Sequence, residues 1–136
     1  MKIKPILIIS GEPQSTFTEI FFKTIKKRKI KKKIILIVSK SLFMKQMNLL
    51  GFNFDINLID KKKINLKKLS KTKINIIDVN YNFKKIFDKI SNKSNYYIEE
   101  SFKIALKLMK TKKYSGLING PISKKNFLRG RFLGIT

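Results

Sequence analysis

The sequence predicts a layered α/β domain, a mostly parallel sheet with flanking helices, and three observations predict it. Strand-like and helix-like segments alternate from end to end. The strand candidates are largely continuous apolar runs, as expected of strands covered on both faces. Glycine-proline breaks follow two of those strands, where α/β domains place the loops that carry ligands.

Ile3–Ser10 is an aliphatic run that tolerates Pro5 near its start and closes at Gly11. Phe17–Lys29 places Phe17, Ile20, Phe21 and Ile25 at helical spacing. Lys33–Ser39 holds the unbroken run Ile34–Val38, and Ser39 can cap a helix over Lys40–Leu50 that Gly51 stops. That helix sets Phe43, Met47 and Leu50 on one face. Phe54–Asp60 alternates Phe54, Ile56 and Leu58, as in a strand with one exposed face. Lys61–Lys73 reads as a surface connection, Ile74–Val79 as a strand and Asn80–Asn95 as a polar connection.

Asn95–Lys112 is the clearest helix. Ile98, Phe102, Ala105 and Met109 recur on one face, with Glu99 and Glu100 near its start and lysines near its end, as the helix dipole prefers. Gly116–Asn119 follows as a short strand. The chain then runs through Gly120-Pro121, a Ser-Lys-Lys helix start and a glycine-spaced turn at its last residues. A domain rarely finishes inside such a turn, so the expectation is a fragment without an internal domain boundary over residues 1–136.

At 136 residues, 43% hydrophobic and 11% aromatic, the composition is that of a globular chain rather than a disordered one. Cysteine and histidine are both absent, and Asp+Glu number 8 against 32 Lys+Arg. That removes thiol nucleophiles, thiolate and imidazole metal ligands, and the commonest general base. A self-contained metal or acid–base site is not expected from these residues. Ile6–Ile9 is too short for the core of a signal peptide, and no segment has the length of a membrane span. The expectation is a soluble, cytoplasmic protein with no membrane partner.

A formal charge of +24 invites a nucleic-acid reading. The lysines, however, are spread over every segment, and arginine occurs only at positions 28, 129 and 131. Arginine is the residue of bidentate and stacking contacts to nucleic acid. Lys, Ile, Asn, Phe and Tyr share A/T-rich codons, and base bias explains their abundance better than a selected nucleic-acid surface does. Nucleic-acid binding is expected only as an incidental effect of charge.

Three segments are candidate sites. Gly11-Glu12-Pro13-Gln14-Ser15-Thr16 lies between the first strand and first helix, where free amides suit anions. It lacks the spacing of a phosphate-binding P-loop. On composition alone it reads more readily as an ordinary connection, with Glu12 solvated and Ser15 or Thr16 as the cap. In Asn119-Gly120-Pro121-Ile122-Ser123-Lys124, Lys124 can reach an anion from a first helical turn or be one more surface lysine. Gly134-Ile135-Thr136 offers a hydroxyl and, alone, carries no meaning.

Taken in order, these segments resemble the N-terminal part of the 4-hydroxythreonine-4-phosphate dehydrogenase family of pyridoxal phosphate biosynthesis. The resemblance rests on the strand into Gly11-Glu12-Pro13, on Glu19-Ile20, on Gly120-Pro121-Ile122-Ser123-Lys124 and on Gly134-Ile135-Thr136. It implies an isocitrate/isopropylmalate-dehydrogenase-like fold, incomplete here. It also implies NAD(P)-dependent oxidation of a phosphorylated hydroxy-amino acid with metal-assisted decarboxylation, in a homodimer. Substrate contact would fall to Thr136, with Lys124 as an anion contact. Catalytic, cofactor-binding and metal-binding residues are not assignable within the chain. The family's divalent-metal ligands are downstream histidines, in proteins more than twice this long, so the segment alone is expected to be inactive.

Two departures stand out. The family's Ala-Gly-Ile-Gly-Pro loop is here Gln14-Ser15-Thr16-Phe17-Thr18, and Ile135 replaces a substrate-holding histidine. A degenerate, non-catalytic remnant or a basic nucleic-acid-binding domain are the alternatives from other classes.

Overall fold

The computed structural model describes residues 3–27 and 32–123. Five strands form one sheet: β1 Ile6–Ile9, β2 Ile34–Val38, β3 Ile56–Leu58, β4 Ile74–Asp78 and β5 Gly116–Asn119. Their order is β3-β4-β2-β1-β5, and every pairing is parallel. In register, Leu7 sits beside Ile35 and Leu117, and Leu36 beside Ile76. The predicted layered α/β class, with its mostly parallel sheet and flanking helices, is what the chain adopts.

Helices cover both faces, which is why the central strands are apolar at successive positions. On one face α1 (Phe17–Lys27) and α2 (Lys40–Leu49) bring Phe21, Phe22, Phe43 and Met47 against Ile8, Leu36, Val38 and Ile76. Phe22 stands at the centre of an aromatic cluster, with ring centroids 4.8 Å from Phe43 and 5.3 Å from Phe52. On the other face α3 (Asn95–Met109) packs Tyr97, Ile98 and Ala105 on Leu7, Ile9, Ile35 and Ile37. Leu69 and half-buried Ile64 and Leu66 extend that layer, so the lysine-rich connection also contributes apolar cover.

Several expectations shift in detail. Ile20 is 59% exposed while Phe22 is fully buried, so the inward stripe of α1 is turned from the Phe17–Ile20 spacing towards Thr18, Phe21 and Phe22. Leu58 alternates with Phe54 and Ile56 but is 54% exposed at the end of the edge strand β3, outside the cluster that those two join. In α3 the buried face includes Tyr97 and Ser101, and the helix ends at Met109, short of the expected Lys112. The other edge strand, β5, pairs only with β1 among the described residues and exposes Ile118 by 53%.

Candidate functional site

The β1-to-β2 connection runs through α1 on one face, and the β4-to-β5 connection runs through α3 on the other, to the far side of β1. The progression of strands across the sheet therefore reverses between β1 and β5, although the two run parallel. A crevice at the carboxyl ends of two such strands is where open α/β sheets bind ligands. Both loops singled out from the sequence, Gly11-Glu12-Pro13 and Gly120-Pro121-Ile122-Ser123, start at this point.

The two loops are in direct contact. Gly120 N–H donates to the Ile9 carbonyl at 2.8 Å, and Glu12 N–H donates to the Pro121 carbonyl at 2.8 Å. The approach is close enough to require glycine on both sides. A Cβ on Gly120 would overlap the Ser10 carbonyl oxygen and come within 2.8 Å of the Phe17 ring. One on Gly11, whose φ is +74°, would overlap the Pro121 oxygen.

Glu12 fastens the junction through its side chain. It is 1% exposed, against the expectation of a solvated residue. Its Oε2 lies 2.8 Å from Ser94 Oγ, and its Oε1 accepts from Ser123 N–H at 3.2 Å. Ser94 also lies 3.1 Å from the Ser91 carbonyl, in the turn that opens α3. One carboxylate thus joins the first loop, the Gly120–Ser123 turn and the start of α3. Burial of that charge is tolerated only because hydrogen-bond donors meet both oxygens. Ser15 is the cap at α1: its Oγ donates to the Glu12 carbonyl at 2.8 Å and accepts from Phe17 N–H at 3.3 Å.

Two glutamines tie the first loop to the connection over residues 80–95. Gln14 Nε2 donates to the Lys85 carbonyl at 3.4 Å, and its Oε1 accepts from Asp88 N–H at 2.8 Å. Buried Gln46 of α2 donates to the carbonyls of Pro13 and Ile86, both at 3.0 Å, and accepts from Thr18 Oγ1 at 2.7 Å. At the next strand end, Tyr97 Oη accepts from Ser39 N–H at 2.9 Å and lies 3.2 Å from Ser10 Oγ. Its phenol is pushed up to about 12 by burial, an effect that its bonds to Ser10 and Ser39 partly oppose. Burial likewise raises Tyr81, whose ring centroid is 5.0 Å from that of Tyr97.

Beside this junction a cavity of about 350 Å³ opens between the start of α2 and the segment after β4. Ser41, Lys45, Asp78, Asn80 and Tyr81 are among its lining residues. Ser39 caps α2 as predicted, accepting from Leu42 N–H at 3.3 Å, and Asp78 Oδ1 accepts from Lys40 N–H at 2.8 Å. Neither helix-start group is free for a ligand.

Lys124, Gly134, Ile135 and Thr136 lie outside the described residues. The structure brings together the first two candidate loops through Glu12, and the sequence reading did not see that linkage. Ser94, Gln14, Gln46 and Tyr97 were also missed. Gln14 and Ser94 fall in stretches that read as connections, and Gln46 and Tyr97 lie outside the apolar stripes of their helices, so no local pattern marks them.

Among the described residues no group of three or more His, Cys, Asp or Glu could hold a metal ion. The described residues by themselves therefore do not fit the metal that the resemblance implies. No helix of the described residues is long and apolar enough to cross a membrane.

A parallel five-stranded sheet covered by helices on both faces defines an open α/β domain of the doubly wound type. A family model described as the pyridoxal phosphate biosynthetic protein PdxA matches residues 29–134, and the chain belongs to that family. Its fold is similar to that of a 4-hydroxythreonine-4-phosphate dehydrogenase from Burkholderia phymatum, with a TM-score of 0.73 at 16% identity. A putative enzyme of the same name from Salmonella typhimurium matches with a TM-score of 0.77 at 14% identity. One from Klebsiella pneumoniae matches with 0.78 at 14% identity. These matches cover 97–99% of this chain and 42% of each of the others, so the chain spans well under half the length of those proteins. No curated protein matches it by sequence.

Proposed function

We propose that the chain is the N-terminal portion of a two-domain, NAD(P)-dependent oxidoreductase acting on 4-phosphohydroxy-L-threonine in pyridoxal phosphate biosynthesis. The observation that carries this reading is the meeting of Gly11-Glu12-Pro13 with Gly120–Ser123 at the β1/β5 switch point, in a chain of this family. Such an enzyme removes a hydride from the carbon bearing the substrate hydroxyl and passes it to the nicotinamide. The hydroxyl proton leaves, and decarboxylation follows.

In this reading the present residues form a rigid platform rather than reactive groups. Glu12 and the two glycines fix the turn that leads into Lys124, which would contact the substrate phosphate. Thr136 would contribute a hydroxyl to the same substrate. Metal ligands would not come from the described residues. A homodimer in the cytoplasm, with the metal and NAD(P) held by residues beyond this segment, is the arrangement proposed for the intact enzyme.

The test is NAD(P)H formation from 4-phosphohydroxy-L-threonine with added divalent metal. The reading frame extended beyond Thr136 should turn over, and the 136-residue chain alone should not. Turnover by the chain alone would overturn the assignment of the missing machinery to other segments. An extended frame that neither binds nor oxidises this substrate would overturn the substrate. In the extended protein, Lys124→Ala and Thr136→Ala should each weaken substrate binding about tenfold, the value of one charge-assisted or well-placed hydrogen bond.

A further inference from the structure

A second cavity lies at the opposite end of the sheet from the switch point. It is a groove of about 690 Å³ between the end of α1, the start of β2 and the approach to β4. Lys26, Lys27, Lys32, Lys33, Lys71 and Lys73 line it, and no Asp or Glu does. Its apolar lining includes Phe21, Ile25 and Phe54. The volume falls within the range of small-molecule sites, about 300–1,000 Å³.

Base bias accounts for the abundance of lysine but not for the build of this groove. The segment carrying Lys71 and Lys73 is held by a buried polar hub. Asn75, 3% exposed, accepts from Ser70 N–H at 2.9 Å through Oδ1 and donates through Nδ2 to the carbonyls of Ser70 and Ile34. Ser70 Oγ in turn accepts from the N–H groups of Thr72 and Lys73, at 3.2 and 2.8 Å. The backbone beneath these two lysines is therefore set before any ligand arrives. Among the described residues, the ion pairs link Glu19 to Lys23 and Glu99 and Glu100 to Lys103, so none involves a groove lysine. The carboxyl end of α1 points its partial negative charge here, about half an elementary charge, and six ammonium groups outweigh it.

We propose that this groove binds a nucleoside polyphosphate, with the phosphate chain among the lysines and the base against the apolar lining. Like-charged side chains gathered in one concavity focus potential and concentrate a multivalent anion there. A dispersed lysine surface would do so only diffusely. The inference does not depend on the dehydrogenase reading, since the two sites occupy opposite edges of the sheet.

The test measures binding of ATP and of inorganic triphosphate by calorimetry, with a chelator present, to three forms of the protein. Lys71→Glu with Lys73→Glu changes exposed side chains in the groove. Lys61→Glu with Lys63→Glu makes the same change in net charge elsewhere. ATP should bind the unaltered protein at one site. The groove variant should weaken it at least about tenfold and the control less than about threefold, since unpaired surface charges act weakly through solvent. Inorganic triphosphate should bind about fivefold more weakly than ATP, for want of an apolar part. Equal loss in the two variants would reduce the effect to net charge and overturn the site. Equal affinity for ATP and triphosphate would overturn the nucleoside part. Binding of single-stranded oligonucleotides without ATP binding would overturn both.

Discussion

The two edges of the sheet solve opposite electrostatic problems with the same device. At the carboxyl edge one negative charge, Glu12, is withdrawn from water and met by the Ser94 hydroxyl and Ser123 N–H. At the amino edge the charges are positive, exposed and unneutralised, and a neutral amide, Asn75, is buried beneath them to set the backbone. In both places a single buried polar side chain joins segments distant in sequence. The difference is what it fixes: a backbone junction too tight for a side chain at one edge, and an open groove at the other. The carboxyl edge should therefore be sensitive to volume and hydrogen-bond geometry, and the amino edge to charge.

The largest effect should come from Gly120→Ala. The added methyl would overlap a backbone oxygen, which cannot swing aside as a flexible side chain could. Relief requires separating β1 from β5 or moving the Gly11 loop. A cost of about 3 kcal/mol or more is expected, comparable to severe overpacking in a core. Urea denaturation followed by circular dichroism measures it. A variant within about 0.5 kcal/mol of the parent would mean that the junction is looser than described.

Glu12 separates charge from hydrogen bonding. Glu12→Ala removes the side chain that joins Ser94 to Ser123 and empties its buried place, and should cost about 3 kcal/mol. Glu12→Gln can keep both contacts, because the amide oxygen can accept from Ser123 while its NH₂ donates to the Ser94 oxygen. Its cost should be about 1 kcal/mol. Equal losses in the two variants would show that the negative charge itself, rather than the pair of bonds, holds the junction.

The layers were legible because they depend on periodicity. Continuous apolar runs marked β1, β2, β4 and β5, and the Ser39 cap and both glycine loops were visible as local chemistry. What stayed hidden was partnership across distance. Glu12 and Ser94 are 82 residues apart, and Glu12 and Ser123 are 111 apart, so no local pattern announces that they meet. Gln46 and Tyr97 carry no mark of their own in the sequence, and only the fold makes them tethers. Ile20 misled for a related reason. Its spacing suits an inward stripe, but Phe22 buries more area against Phe43 and Phe52, and the helix turns to favour it.

A smaller effect than the loss of Gly120 or Glu12 belongs to Tyr97, and pH can isolate it. Tyr97→Phe leaves Ser39 N–H without its acceptor and should cost about 1–2 kcal/mol at neutral pH. The folded phenol titrates near 12 and the unfolded one at its ordinary value of 10.0. Because the folded value is raised, Tyr97 contributes its full stability below the unfolded value. As pH rises from the unfolded towards the folded value, the unfolded chain gives up its proton while the folded chain keeps it. The parent should lose about 1.4 kcal/mol through this group by about pH 11, and up to about 2.7 kcal/mol beyond the folded value. The variant has no phenol to ionise and escapes that loss. Tyr114, raised by burial, acts alike in parent and variant, while an ionised Tyr81 beside Tyr97 only pushes the Tyr97 phenol further up. The gap between parent and Tyr97→Phe should therefore close as pH rises and reverse near about pH 11. A gap independent of pH would show that the Tyr97 hydroxyl is not buried between Ser10 and Ser39, and that the tether across β1 and β2 is absent.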